Sequence, residues 1–263
     1  MTCGQRFRVK GPGSGVSGFA HAQFAGCRVE ARLAFLDFLE PAERARLRVL
    51  TLEFLAEKQI AGAGGLEVDN AMRLAIGLQA CLPILNIGLG AYGDWVGIIV
   101  YPGDFVIPRN EVDAAGVVHE YDDPVLGEAW RGGPVVVAWF DDANEAEGIN
   151  VVLHEFAHKL DMRNGEPDGM PQLPAGMDAG SWAREFSDAY ADLCRRVDDG
   201  EDTPLDPYAS ENPGEFFAVM SEAFFTTPLL LQLEYPRVYA QLARFYRLDP
   251  ASGELRMSKA GHA

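Results

Sequence analysis

The chain is 263 residues long and 48% of them are hydrophobic, which is typical of a globular protein and excludes a small stapled scaffold or a wholly disordered chain. The 39 Asp and Glu residues outnumber the 22 Lys and Arg residues, so the formal net charge is −17. Since this charge repels nucleic acids and anionic membrane surfaces, we predict no direct nucleic-acid binding and no membrane partner.

Residues 1–34 are predicted to form a flexible N-terminal extension. Most of this segment is rich in Gly and Ser and has no sustained hydrophobic periodicity. It contains the pattern Gly-x-Gly-x-x-Gly at Gly13, Gly15 and Gly18. Because no hydrophobic strand leads into this pattern, a linker is a better interpretation than a dinucleotide-binding turn.

The N-terminus and the cysteines together predict a cytoplasmic location. Residues 1–10 have no continuous apolar core of signal-peptide length. The four cysteines are far apart and form no Cys-x-x-Cys pair, as expected for reduced thiols. Residues 74–93 are uncharged over the length of a membrane span, but Pro83, Asn86 and four glycines there favour a buried helix and a Gly-rich turn.

Hydrophobic periodicity and capping residues predict a mainly helical α+β fold with a small mixed β-sheet. The predicted helices cover about residues 41–58, 69–82, 146–163, 181–198, 213–226 and 234–246, and the two clearest strands cover 95–101 and 134–140. We expect one domain at residues 35–250, with an N-terminal lobe to about residue 143 and a helical lobe at 144–250. Residues 251–263 are predicted to be a flexible C-terminal tail.

The predicted helix 146–163 contains His-Glu-Phe-Ala-His, an H-E-x-x-H pattern. Positions i and i+4 of a helix lie one above the other, so His154 and His158 can direct ring nitrogens at one metal ion. Glu155 flanks this pair, where its carboxylate can take a proton from a water that the metal activates. The apolar residues of the helix lie on the opposite side from the histidines, which favours metal binding over core packing.

A third protein ligand must come from elsewhere, because two histidines do not complete a tetrahedral zinc site. The other histidines are weak candidates. His21 and His262 lie in the predicted extension and tail, and His119 lies in a predicted loop. A carboxylate is therefore the favoured third ligand.

The predicted helix 213–226 offers two such carboxylates, Glu215 and Glu222, on one face. Glu215 has an alternative role, because Asn212 at the N-cap and Glu215 at the third helical position approximate a capping box. Glu222 is a rival ligand or an acceptor for an imidazole N–H group. Spacing alone leaves these alternatives open.

Four separated segments resemble the Mlc titration factor A family of bacterial zinc-dependent peptidases, over roughly residues 40–250. They read HEFAHKLD at 154–161, NPGEFFAVMSEAFF at 212–225, GAGGLEVDNAMRLAIGLQACLPILN at 62–86 and GEAWRGGPVVVAWFD at 127–141. The catalytic half is also similar to the catalytic domain of anthrax lethal factor, which is gluzincin-like. The resemblance implies a zincin-like peptidase fold, with the small sheet preceding the zinc-binding helix.

The resemblance also implies the residues of an active site. One Zn²⁺ per chain would be held by His154, His158 and Glu215, with Glu155 as the general base. Tyr208, seven residues before Glu215, would donate a hydrogen bond to the oxyanion of the tetrahedral intermediate. The implied activity is an aminopeptidase-like zinc metallopeptidase that acts on peptide or protein substrates.

The same resemblance implies a partner, a transcriptional repressor of the Mlc type. It therefore leaves a second interpretation, in which a non-catalytic zinc-containing protein sequesters a transcriptional regulator. For a peptidase, we expect strand 134–140 to be the sheet edge on which an extended substrate adds through main-chain hydrogen bonds.

Overall fold

The computed structural model describes residues 28–112, 118–139 and 150–260, except for the side chains of residues 105–125 and 257–260. Within these residues, helices α1 to α8 cover, in order, Pro41–Glu57, Asn70–Cys81, Val151–Asp161, Ala179–Asp198, Pro213–Thr226, Pro228–Glu234, Pro236–Tyr246 and Pro250–Ala260. Strands β1 to β6 cover Gln59–Gly62, Gly97–Tyr101, Phe105–Val112, Val118–Val125, Gly127–Ala129 and Val135–Ala138. The predicted mainly helical α+β class is confirmed.

Local sequence signals explain where the helices begin. Asp69 caps α2, since its carboxylate accepts a hydrogen bond from the Met72 N–H group at 2.8 Å, as the sequence predicts. The predicted helix 234–246 is α7, and the separate helix α6 before it was not predicted. Both α6 and α7 begin with a proline, at Pro228 and Pro236, because a proline is tolerated in the first turn of a helix and not in its interior.

The main sheet has the strand order β1-β2-β6-β5. The first three strands run parallel, and β5 pairs antiparallel with β6, so the sheet is mixed. Strands β3 and β4 form a separate antiparallel pair. The expectation that strand 134–140 lies at the sheet edge is wrong, because β6 is paired on both sides. Among the described strands, β5 is the edge next to it.

Helix α3, which carries the H-E-x-x-H pattern, packs against β5, β6 and α5. Its apolar side enters an aromatic cluster in which Phe156 contacts Phe54, Tyr92 and Trp95, with ring centroids 5.2 to 5.8 Å apart. Such pairs contribute about 0.5 to 1.5 kcal/mol each beyond the area that they bury. The cluster therefore fixes α3 against α1 and the segment before β2.

Both ends of the described chain pack more closely than the sequence predicts. Val29 and Leu33 are buried, although both belong to the predicted extension. The Glu30 carboxylate, in the same segment, is also buried and pairs with Arg44 and Arg48 of α1. Helix α8 occupies part of the predicted tail. It approaches so closely that a β-carbon at Gly253 would lie 2.6 Å from Phe38 Cβ.

The sequence did not predict this contact, because residues 251–260 are mostly polar or small and the close approach is made at a glycine. Parts of four sequence predictions lie outside the described residues. They are residues 1–27 of the extension, residue 140 of the predicted strand 134–140, residues 146–149 of the predicted helix and residues 261–263 of the tail. Among the described helices, none has the length and apolar character needed to cross a bilayer.

Candidate metal centre

The N-terminus of α3 is fixed before its histidines begin. Asn150 is the N-cap, and its side-chain oxygen accepts from the Leu153 N–H group at 2.9 Å. Its amide nitrogen donates to Gln79 Oε1 at 2.7 Å, which ties the cap to α2. The backbone N–H of Asn150 donates to the Glu222 carboxylate on α5. These contacts set the rotation of α3, so that His154 and His158 face α5.

Three side-chain atoms converge between α3 and α5. Glu215 Oε2 lies 3.0 Å from His154 Nε2 and 3.2 Å from His158 Nε2, and the two Nε2 atoms are 3.2 Å apart. These three residues are the group of potential metal ligands found among the described residues. The structure thus brings together the two histidines of the motif and a carboxylate 57 positions after His158.

This donor set fits a small divalent cation. Two ligand atoms about 2.05 Å from a tetrahedral zinc ion are separated by about 3.3 Å, close to the separations seen here. Two imidazole nitrogens and a carboxylate oxygen, all of them acceptors when deprotonated, approach one another this closely only with a proton or a cation between them. The three side chains are 8 to 18% exposed, which leaves an open side for a further ligand.

The structure distinguishes the positions of the two glutamates on α5. Asn212 accepts a hydrogen bond from the backbone N–H of Glu215 at 3.0 Å, so this residue takes part in the cap through its backbone. Its carboxylate is directed at the histidines. Glu222 lies at the other side of His154, with Oε2 3.5 Å from Nδ1, which suits an acceptor that orients the ring.

The carboxylates change the proton affinity of the centre. Burial by itself lowers the pKa of His154, but the hydrogen-bonded carboxylates of Glu215 and Glu222 outweigh this effect and raise the pKa to about 10. Burial by itself raises the pKa of Glu215, but the two imidazoles outweigh it and hold this pKa well below its usual range. The metal-free centre therefore holds a proton that a metal ion must displace.

Glu155 lies beside the three ligand atoms and is 5% exposed. Its Oε2 atom has no hydrogen-bond partner among the described residues. Burial raises the pKa of Glu155 to about 8, partly opposed by His154 and reinforced by Glu215. Positive charge at the ligand atoms would lower this pKa again, so the residue can act as a carboxylate base once a cation is bound.

Tyr208 is placed at the rim of the centre by a short 3-10 helix, Pro207–Ser210. The Asp206 carboxylate accepts a hydrogen bond from the Tyr208 N–H group at 2.9 Å, which starts this turn. The Tyr208 ring centroid is 6.3 Å from that of His154, and the residue is 51% exposed. About half of this residue is therefore accessible to solvent beside His154.

Comparison with known sequences agrees with this geometry. Residues 21–247 match the sequence profile of the glucose-regulated metallo-peptidase M90 family. The chain belongs to this family. Mlc titration factor A of Salmonella gallinarum and that of Salmonella typhimurium are each 37% identical to it over 227 residues, which cover 84% of this chain and 85% of the relative. The protein of the same name from Salmonella arizonae is 36% identical over 218 residues.

The resemblance to the Mlc titration factor A family is thus confirmed. Membership in the M90 family supports a metallopeptidase, and His154, His158 and Glu215 supply a set of residues that can hold its metal. Of the weak candidates for the third ligand, His21, His262 and the side chain of His119 lie outside the described residues.

The sequence did not point to two residues of this M90 chain that lie near the candidate metal centre. Gly127 on β5 faces Glu155, and Lys159 binds the loop that follows β5. A glycine inside a strand often marks a close approach of another group, but no strand was predicted at residue 127, so this signal could not be used. Nothing in the spacing identified Lys159, because a lysine in a helix usually faces solvent.

Proposed function

We propose that the protein is a zinc-dependent peptidase of the gluzincin type. The single observation that carries this proposal is the convergence of His154, His158 and Glu215 on one point, with the Glu155 carboxylate beside them. Two imidazoles and one carboxylate are the ligand set of several zinc peptidases, in which the fourth position stays open. One zinc ion per chain is expected.

A zinc ion held there would polarise a peptide carbonyl group and make a water molecule acidic near neutral pH. The protein's own groups then move the protons. Glu155, as the base, takes a proton from the attacking water and passes it to the leaving amine. A bound cation would lower the pKa of Glu155 from its metal-free value of about 8, so the side chain would be a carboxylate that can take this proton.

Tyr208 has the proposed role of oxyanion donor. Its ring lies beside His154, and the residue is partly exposed at the rim of the site, where a bound substrate would lie. A hydrogen bond from the phenol would stabilise the negative charge on the former carbonyl oxygen. This hydrogen bond would be made in the tetrahedral intermediate, where the negative charge develops, and not in the resting enzyme.

Among the described strands, β5 has no partner on the side away from β6, and this edge is the proposed binding surface for the substrate backbone. An extended peptide can add to a sheet edge by main-chain hydrogen bonds, and β5 is such an edge beside Glu155. A chain bound along β5 would bring a peptide bond past the metal ligands. We infer that the substrates are peptides or proteins. We propose that the cleavage is aminopeptidase-like and that it takes place in the cytoplasm.

The decisive experiment compares the wild-type protein with Glu155→Gln. The amide has nearly the same shape and cannot accept the proton, so we expect cleavage of a peptide to fall by about 10² to 10⁴. Zinc content should stay at one per chain, because Glu155 is not among the ligands. Unchanged cleavage by a folded, zinc-loaded variant would show that the mechanism is wrong.

A second candidate function follows from the names of the relatives, which are called Mlc titration factor A. We propose that the chain also binds a transcriptional repressor of the Mlc type. Binding of such a repressor by the inactive Glu155→Gln variant, with wild-type affinity, would separate this role from peptidase activity. If wild type binds the repressor and cleaves no peptide, the alternative of a non-catalytic zinc-containing protein that sequesters a regulator is preferred.

A further inference from the structure

The loop that connects β5 and β6 is a tight turn that contacts Lys159 on helix α3, the helix that carries the two candidate ligand histidines. Trp130 follows the last residue of β5, and its backbone N–H donates to the Pro134 carbonyl at 3.2 Å. The Gly133 N–H donates to the Trp130 carbonyl at 2.9 Å. We call residues 127–138 the edge hairpin. Its position relative to α3 decides where a substrate on β5 would lie.

Lys159 on α3 reaches across to this turn. Its ammonium group donates to the Trp130 carbonyl at 2.5 Å and to the Gly133 carbonyl at 2.8 Å. It also lies 4.9 Å from the centre of the Trp95 ring, within the range of a cation–π interaction. The residue is only 4% exposed. A buried cation is therefore held by two carbonyl oxygens of the hairpin turn and one aromatic ring.

The place of Lys159 in the sequence links these contacts to the metal centre. It directly follows His158, so one helical turn carries both a metal-directed imidazole and the group that binds the hairpin. Both residues lie within the regular helix α3. Because β5 leads directly into this turn, loss of the Lys159 contact would let β5 shift relative to the three ligand atoms.

We propose that Lys159 is a positioning residue, which holds the edge hairpin at a fixed distance from the metal ligands so that a peptide on β5 is aligned for cleavage. The inference rests on the proposed peptidase function and adds the residue that sets the register of its substrate. Substrates that use more of β5 should depend more strongly on this lysine.

A second buried lysine provides a matched control. Lys58 lies 4.2 Å from the centre of the same Trp95 ring. Its ammonium group donates to the carbonyl oxygens of Tyr92 and Trp95, in the segment before β2. Lys58 and Lys159 are thus the same kind of group on one ring, 7% and 4% exposed. Of the two, only Lys159 binds the edge hairpin.

The experiment compares Lys159→Met with Lys58→Met in the full-length, zinc-loaded protein. Methionine keeps the apolar stem and removes the donors. In hydrogen exchange followed by mass spectrometry, Lys159→Met should increase deuterium uptake at residues 127–134 and Lys58→Met should not. This measurement needs no activity. Equal uptake in the two variants would overturn the proposal even if the protein is an active peptidase.

Kinetics test the consequence for the substrate. For a pentapeptide we expect Lys159→Met to raise KM by about tenfold, since misplacement of about 1 Å can cost up to 10² in efficiency. The kcat value should fall as well, because a peptide that is bound but misaligned reacts slowly, and a single-residue arylamide, which makes little use of β5, should show smaller changes in both constants. If Lys58→Met gives the same KM values, the role of Lys159 is merely structural. Absence of cleavage by wild type would instead reject the proposed function.

A second variant approaches the same contact from the hairpin, in case Lys159→Met does not fold. A β-carbon at Gly133 would lie 2.9 Å from Trp130 Cβ, so Gly133→Ala must shift the turn that Lys159 binds. We expect the same rise in KM and the same local increase in exchange. A folded Gly133→Ala protein with wild-type KM and exchange would contradict the proposal.

Discussion

The carboxylate of Glu155 occupies the space in which any residue other than glycine at position 127 would carry its β-carbon. A β-carbon there would lie 2.6 Å from Glu155 Cγ and 2.7 Å from Cδ, closer than such atoms approach in real proteins. Strand β5 and helix α3 can therefore pack at this distance only because residue 127 is a glycine. The proposed base and the proposed substrate-binding edge are in direct contact.

This contact predicts that Gly127→Ala inactivates the enzyme without removing its metal. The new methyl group must displace either Glu155 or β5, and a shift of about 1 Å can cost about 100-fold in kcat/KM. The three ligand atoms belong to other residues, so zinc content should be unchanged. Peptide cleavage and metal analysis on the same preparation measure both quantities.

Gly97→Ala is the control for this prediction, because it lies on the neighbouring strand β2. A β-carbon at Gly97 would meet Pro134 Cβ at 3.4 Å, an acceptable contact. This variant should retain near wild-type cleavage. Similar losses in both variants would mean that the sheet is generally intolerant and that the contact of Gly127 with Glu155 has no special role.

The helices were largely predictable because their signals are local. The Asp69 cap, the proline at the start of α5 and the apolar side of α3 all lie within one or two turns of the residues that they order. The pairing of His154 with His158 is also local, since it follows from helical spacing. Glu215 required the family resemblance, because its approach to the histidines depends on how α5 packs against α3.

The order of the strands could not be predicted either, because it also depends on how distant segments pack. Strand β6 is apolar along its whole length and reads as a strand, but an apolar strand is compatible with a central or an edge position. The three residues of β5 are too few to give a periodic signal. The edge of the sheet, Gly127 and Lys159 are all defined by contacts between distant segments, which spacing does not encode.

Tyr208→Phe should reduce kcat by about 10² and leave KM and zinc content nearly unchanged, because loss of one oxyanion donor removes stabilisation from the transition state and not from the bound substrate. The ring would keep its place beside His154, since phenylalanine has the same shape. Steady-state kinetics on a peptide are sufficient. A loss confined to KM would assign Tyr208 to substrate binding instead.

Zinc affinity should rise with pH over a wide range. The carboxylates raise the pKa of His154 to about 10 in the metal-free protein, so the metal must displace a proton from the centre at any lower pH. Apparent affinity should therefore increase by at least about tenfold for each pH unit between 7 and 9, and more steeply below pH 8, where binding also releases the proton of Glu155. Competition with a chelator of known proton affinity measures this slope. A pH-independent affinity would show that the metal-free centre holds no such proton.

Glu222→Gln provides the control for this slope. Glu222 contributes to the raised pKa of His154 but is not directed at the ligand point. Its neutral amide should lower the pKa of His154 and make the affinity less dependent on pH. The outcome that contradicts this account is an unchanged slope with full zinc binding, because Glu222 would then have no influence on the proton.

Asp161 is the C-terminal residue of α3. It is fully buried, and its Oδ2 atom accepts a hydrogen bond from the Gly169 N–H group at 2.8 Å. Burial raises the pKa of Asp161 to about 7, although the Gly169 N–H group partly opposes this effect. The folded state therefore binds a proton more tightly than the unfolded state does, and the free energy of unfolding should fall as pH rises from about 4 to 7.

Asp161→Asn should remove this pH dependence, because the amide is neutral at every pH and can still accept from Gly169. The variant should gain stability relative to wild type between pH 5 and pH 8, by about 2 kcal/mol for a shift of this size. Urea unfolding of both proteins at the two pH values, in chelator so that metal binding does not contribute, gives the difference. The other titrating groups are common to the two proteins and cancel. A stability difference that is the same at both pH values would mean that Asp161 is already ionised at pH 5 in the folded protein.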